Sequence, residues 1–466
     1  MQELPKGSRG LRGGSLKTRK TKRAVFGAVL LAGASTVAPA FGAEAPPSVQ
    51  IRNLTVDIHV AANGGSVETI HSEIRANNAA TAMRLGQTAI GYDSSLVDLK
   101  IVEAHTLKQG GAKIPVSASA IYDQAAPDAA QAPMFTEQRA KTIVFPQFAS
   151  GDTAVYTIRL TSKQPLIARQ YWYGDLFSRI AAFDNVRETI TAPKSLPLAV
   201  ENHGVAFSKS ARGNDIVYSW RYAAPKPVEA AQTLVSPLDS EPRFFVSTFK
   251  NYAELGRIYA RLSDPMSAVT PKIRVLANQI TGNVTDRRIQ AQRIYEWVSQ
   301  HIRYVAVELG KGSLEPHAAE TVLSNGYGDC KDHVVLLSAL LKAKNIASYG
   351  VLINATNSYT LTSVPTFIQL DHIIIWIPEF KTYADSSAIV APFGILPFQE
   401  YGKPVVYVDQ VHAAQGRIPV LQPGLASVTT RTASHLGKDG VLSGVTTTST
   451  SGPYTILLRS VGLAAQ

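Results

Sequence analysis

The chain has 466 residues and one cysteine, Cys330. It stands in the run Asn325-Gly326-Tyr327-Gly328-Asp329-Cys330-Lys331-Asp332-His333. The two glycines make a tight turn, Asp329 suits a helix N-cap, and an almost wholly apolar stretch follows through residues 334–341. Cys330 therefore falls in the first turn of a buried helix over 330–346. There the unpaired N–H groups and the helix dipole favour the thiolate, the nucleophilic form of cysteine. The same N–H groups are expected to face a developing oxyanion. A thiolate nucleophile needs a base, and the base needs an orienting group. His372 follows 42 residues later, in Leu370-Asp371-His372-Ile373-Ile374-Ile375, and Asp385 a further 13 residues on, in Tyr383-Ala384-Asp385-Ser386-Ser387. Two β-runs, 367–377 and 381–385, are expected to pair as a hairpin around Pro378-Glu379, which brings these side chains together. Cys, His and Asp on helix, strand and strand form a coherent acyl-transfer triad.

Each residue also has a plainer reading. A lone cysteine is most often a small buried hydrophobe. The charged neighbours Asp329, Lys331 and Asp332 argue against a core setting. Alone, His372 reads as a core histidine and Asp385 as a turn residue; only the set of three favours catalysis. His333 is the rival base, one helical turn from Cys330, but it lacks a strand-borne orienting group. His301 and His317 are expected on helices in surface roles. Asp332 is expected to complement the helix N-terminus, and Lys331 to add positive charge near the thiolate. Gly310-Lys311-Gly312 lacks the full phosphate-loop pattern and reads as a plain loop. No metal constellation stands out, and no cofactor is expected.

The length suggests about three domains. Residues 48–245 read as β-rich, with Val56, Ile58 and Val60 alternating against Asp57 and His59. Similar short runs between Gly, Asn, Asp and Pro clusters predict an antiparallel β-sandwich. Residues 125–133 read as a surface loop. Helical spacing takes over at 252–262 and again at 286–302, so a second, α+β domain is expected over 249–400. From 404 the chain turns β-like, and 404–466 is expected to be a short, partial C-terminal β domain.

Residues 17–23 are basic, 24–38 are apolar, and small residues follow as Ala38-Pro39-Ala40 and Ala43-Glu44-Ala45. This order predicts a cleaved signal peptide over 1–43 and an exported protein, periplasmic or extracellular. The apolar run is shorter than the roughly 20 residues that span a bilayer, so no stable membrane span is expected after cleavage. The leader holds eight basic side chains against one acid, a net of +7 out of the total of +11, which leaves +4. A cationic nucleic-acid binder is not expected. The single cysteine excludes a disulfide framework within the chain and any Cys-rich metal site.

The run Tyr327 to His333, with the apolar helix and residues 347–354 behind it, resembles the core of the transglutaminase-like superfamily. The likeness is to the bacterial exported branch, in which a β-rich domain of unknown function precedes that core. That branch pairs Asn-His with a following Asp-Pro/Ser-Thr; the matching positions here are Asp371-His372, with Asp in place of Asn, and Asp385-Ser386-Ser387. The resemblance implies a papain-like α+β fold and the triad Cys330, His372 and Asp385. The function expected is cysteine-dependent acyl transfer on peptide or glutamine-type amides of the cell envelope. Hydrolysis is slightly preferred to amine transfer. The competing reading is a catalytically silent scaffold or envelope-binding protein.

Overall fold

The computed structural model describes residues 47–126, 137–228, 235–305 and 314–464. The leader, most of the loop at 125–133 and Gly310-Lys311-Gly312 lie outside them. The first domain is built on an eight-stranded sheet. Its spatial order is Ala206–Arg212, Asp215–Ala224, Ala182–Pro193, Val49–Val60, Ser66–Ala76, Thr153–Ser162, Val97–Leu107 and Lys113–Pro115. Val56, Ile58 and Val60 are buried while Asp57 and His59 are exposed, the period of two that a one-sided sheet requires.

The expected multidomain α+β class holds, but one pairing departs from the wholly antiparallel pattern. Val49–Val60 runs parallel to Ala182–Pro193, with Val56 opposite Glu188. More than a hundred residues separate the two strands. A connection that long allows a parallel return, which a tight turn forbids. Two three-stranded sheets complete the domain: Gln87–Asp93 with Gln138–Val144 and Ile121–Ala125, and Arg243–Ser247 between Ala199–His203 and Trp172–Leu176. All contribute to one apolar core, in which Trp220 stacks on Phe244 at 4.0 Å.

The second domain is arranged around the helix Cys330–Ala343. Leu336, Leu337, Leu340 and Leu341 on it are fully buried, as a helix apolar all round must be. The helices Pro271–Thr281, Arg287–His301 and Ala319–Asn325 and the strand His372–Ile377 pack against it. The first and third of these helices carry too short an apolar pattern to stand out in the sequence. The expected β-runs are shorter in fact: the strands are His372–Ile377 and Thr382–Ala384. Residues 366–371 form a loop anchored by the buried polar side chains of Thr366 and Gln369.

The boundary expected at 404 is corrected. Pro404–Val408 pairs with Tyr349–Ile353, and Gln415–Arg417 follows at the edge. The five-stranded sheet therefore runs Thr382–Ala384, His372–Ile377, Tyr349–Ile353, Pro404–Val408, Gln415–Arg417. The β-like stretch after 404 completes the core sheet instead of opening a new domain. Beyond it lie an exposed hairpin, Ser427–Leu436 with Leu442–Ser451, and the helix Tyr454–Ala464. No helix among the described residues is long and apolar enough to cross a membrane.

The two domains meet on the loop that leads into His372. Trp172 of the first domain packs against Phe249 at 5.6 Å and Phe367 at 5.3 Å. Ser363 donates from N and Oγ to Glu201, each at 2.6 Å, and Thr360 N donates to Asp239 at 2.7 Å. Cys330 packs against the same apolar cluster as Trp172 and Phe367.

Candidate active site

Asp329 caps the cysteine helix. Its Oδ1 accepts from Lys331 N at 3.1 Å and Asp332 N at 3.3 Å, and Asp332 Oδ2 accepts from Asp329 N at 3.3 Å. This reciprocal capping box satisfies the first-turn donors locally. The expectation that several N–H groups face an oxyanion is thereby corrected: the cap takes those of Lys331 and Asp332 and leaves that of Cys330. The charged neighbours are also not a mark of exposure. Asp329, Lys331, Asp332 and His333 are all buried, and Cys330 among them is only partly buried. Lys331 Nζ is hydrogen-bonded to Asp329, so its charge is matched inside the cap. Asp332 also accepts from His317, at 2.8 Å from its backbone N and 3.1 Å from Nδ1. His317 thus lies in the loop before Ala319–Asn325, tied to the cysteine helix, not on a surface helix. The Asp332 carboxylate raises the pKa of His317 against its partial burial. His301 sits on an exposed helix end, stacked on Trp297 at 4.6 Å.

The hairpin sets Ile375 opposite Ala384, which carries His372 and Asp385 to the same end of the sheet. His372 Nε2 lies 3.1 Å from Asp385 Oδ2. The other carboxylate oxygen accepts from Ser387 N at 2.9 Å and Ser387 Oγ at 2.7 Å. Tyr295, from the helix Arg287–His301, donates to the Asp385 carbonyl at 2.9 Å. Cys330 is within hydrogen-bonding reach of the same imidazole, and with Nε2 engaged by the carboxylate, Nδ1 is the nitrogen left for it. Burial opposes a charge on His372, but Asp385 and then Cys330 outweigh it and hold its pKa well above the ordinary value. Burial likewise pushes Asp385 up, and His372 and Ser387 together bring it well below the usual carboxylate range. The three residues singled out by spacing are therefore brought together, with charges that favour an imidazolium beside a carboxylate.

His333 is placed differently. Its ring is 1% exposed and stands edge-on to Tyr304 at 5.8 Å. Burial pushes its pKa down to about 4, so it is neutral at ordinary pH.

One neighbour escaped the sequence reading. Glu400, 2% exposed, offers a carboxyl oxygen such that ligand atoms of His372, Asp385 and Glu400 lie within 4.8 Å of one another. It ends a short turn, Phe398–Glu400, far from any motif. Its only signal in the sequence is an acid close to Lys403 in an otherwise apolar stretch. The cluster has the donor types of a metal site, but two of its three members already bind each other.

Residues 62–229 match a domain of unknown function, DUF3857, and residues 274–359 match the transglutaminase-like superfamily. The chain carries a transglutaminase-like domain behind a DUF3857 domain. The superfamily match ends before His372, and the five-stranded sheet carries the transglutaminase-like domain on through Asp385. A protease candidate from Parabacteroides distasonis has the same overall fold, with a TM-score of 0.69 at 15% identity over 81% of this chain and 73% of its own. At that identity the likeness is one of fold. A cysteine-protease candidate from Cytophaga hutchinsonii reaches a TM-score of 0.23 at 12% identity, over 60% of this chain and 80% of its own. An M1 zinc metallopeptidase from Deinococcus radiodurans reaches 0.24 at 12% identity, over 44% of each chain. Neither of these two carries an argument. No curated protein matches the chain.

Proposed function

We propose that this protein is a thiol enzyme that transfers acyl groups from peptide or glutamine-type amides, with water as the favoured acceptor. The observation that carries the reading is the ordered contact of the three groups: Cys330 at the helix N-terminus, within reach of an imidazole held at 3.1 Å by Asp385.

The steps follow from this geometry. Cys330 Sγ attacks the amide carbonyl carbon, and the carbonyl π-electrons move onto oxygen. The N–H of Cys330 is the donor that the cap leaves free for that oxyanion. As the oxyanion collapses, the C–N bond breaks and His372 gives its proton to the departing amine. A thioester remains on Cys330. His372, now neutral, takes a proton from water as the water oxygen attacks the thioester carbon. The C–S bond then breaks, the acid leaves, and the thiolate–imidazolium pair is restored. With an amine in place of water the product is a new amide. Asp385 keeps the imidazole in orientation throughout and stabilises its charge.

Export fits the reading. The basic block, apolar run and small-residue sites at the N-terminus suit a leader that delivers the enzyme to envelope proteins or peptides. Mass spectrometry of a peptide mixture containing glutamine and free lysine, after incubation with the mature protein, tests the activity. Cleaved or deamidated peptides support hydrolysis and cross-linked peptides support transfer. An unchanged mixture across many peptide classes favours the silent scaffold.

A further inference from the structure

Glu400 is an almost fully buried carboxyl group with a second carboxyl within 4.8 Å. A short turn headed by Pro397 carries it inward, its N–H donating to Pro397 O at 3.1 Å. Its Oε2 is fully buried and receives no hydrogen bond from a described protein donor. Asp385, one of whose oxygens lies within 4.8 Å of a Glu400 oxygen, is already supplied with donors: His372 on Oδ2, Ser387 N and Oγ on Oδ1. The nearby cation, Lys403, directs Nζ at Asn354 O, 2.6 Å away. Two buried carboxyls this close do not both ionise, and the one without donors keeps the proton. A protonated carboxyl is itself a donor.

We propose that Glu400 is a positioning residue of the acyl-transfer site, whose carboxylic acid donates a hydrogen bond to Asp385 and thereby fixes the carboxylate that holds His372. This rests on the reading that His372 and Asp385 activate Cys330, and it adds a fourth side chain to that machinery. The electrostatics agree with the geometry. Burial, and then the Asp385 charge, hold Glu400 well above the usual range, against His372 and Lys403, which act in the other direction. Environments that push two neighbouring acids apart assign one as proton holder and the other as permanent charge. In this proposal Glu400 acts through Asp385, and its carboxyl also lies within 4.8 Å of a His372 ring nitrogen.

The single cysteine makes the test clean, because iodoacetamide reports on Cys330 alone. Alkylation rate against pH is measured for the full mature protein, Glu400→Gln, Glu400→Met and His372→Ala, with a thermal midpoint for each. Met keeps the volume without a donor; Gln keeps a neutral donor. Glu400→Met is expected to slow alkylation at mildly acidic pH by about tenfold, the worth of one hydrogen bond to a charged group. Glu400→Gln should restore most of that rate. An unchanged pH profile in Glu400→Met with a lowered midpoint would make Glu400 a packing residue and overturn the proposal. Equal loss in Gln and Met would also overturn it, because a neutral donor would then not suffice. A parent protein whose profile already matches His372→Ala would instead sink the reading beneath it, and the proposal with it.

Discussion

Asp385 holds His372 with one carboxylate oxygen and Ser387 with the other, at 3.1 Å to the imidazole and 2.9 and 2.7 Å to the serine. The serine contacts fix the plane of the carboxylate, and the carboxylate fixes the imidazole. Asp385 is 4% exposed, so removing it takes from the buried imidazole the carboxylate that faces Nε2. Asp385→Ala is expected to destabilise by about 3 kcal/mol near neutral pH, as for other broken buried pairs. It should also lower turnover by orders of magnitude, by analogy with orienting carboxylates in other triads. Asp385→Asn keeps the shape and should recover stability far better than turnover. Chemical denaturation with an amidase or alkylation assay separates the two effects. Equal recovery of both by Asn would make Asp385 structural only.

The same pair sets a pH window for stability. The folded pKa of His372 is raised, so its contribution is complete below the unfolded value of about 6.5 and is lost as pH rises through the higher folded value. The folded pKa of Asp385 is depressed, so its contribution is complete above about 3.9 and is lost as pH falls through the lower folded value. The thermal-midpoint difference between the parent and Asp385→Asn should be largest between these limits and shrink beyond both. A difference flat across pH would contradict the charged pair.

His333 should behave in the opposite sense. Its folded pKa of about 4 lies below the unfolded value of about 6.5, so folding is increasingly penalised as pH falls between the two. His333→Gln is expected to flatten this acid limb of stability while leaving the alkylation profile of Cys330 in place. If His333→Gln slowed alkylation more than His372→Ala, the base would be His333.

Much of the site was legible because its signals are local. A glycine turn, a capping acid and an apolar run place Cys330 at a helix start, and two short β-runs with a tight turn place His372 beside Asp385. The same local signal misled where it stopped at residue type. Asp329, Lys331 and Asp332 look like surface charge in the sequence. In the fold they are a buried ion pair and a capping box, and the cap takes two of the donors expected to serve an oxyanion, those of Lys331 and Asp332. Glu400 and His317 were not legible, because each reaches the site from a turn or loop whose path depends on tertiary packing. The strand Pro404–Val408 was seen as β but not as part of the core, because pairing partners carry no local mark.

Export has its own check. N-terminal sequencing of the protein recovered from its native compartment should begin between Phe41 and Pro46, after either small-residue site. A mature chain that still begins near Met1 would remove both the leader and the compartment from the account.

The central claim is that Cys330 forms an acyl intermediate which His372 helps to make and to break. Intact-mass measurement after rapid acid quench of the protein with an activated peptide ester reads it directly. The expected result is a transient thioester on Cys330 that hydroxylamine removes, absent from Cys330→Ala and formed and discharged far more slowly in His372→Ala. No adduct on Cys330, or an adduct whose rates are indifferent to His372, would contradict it.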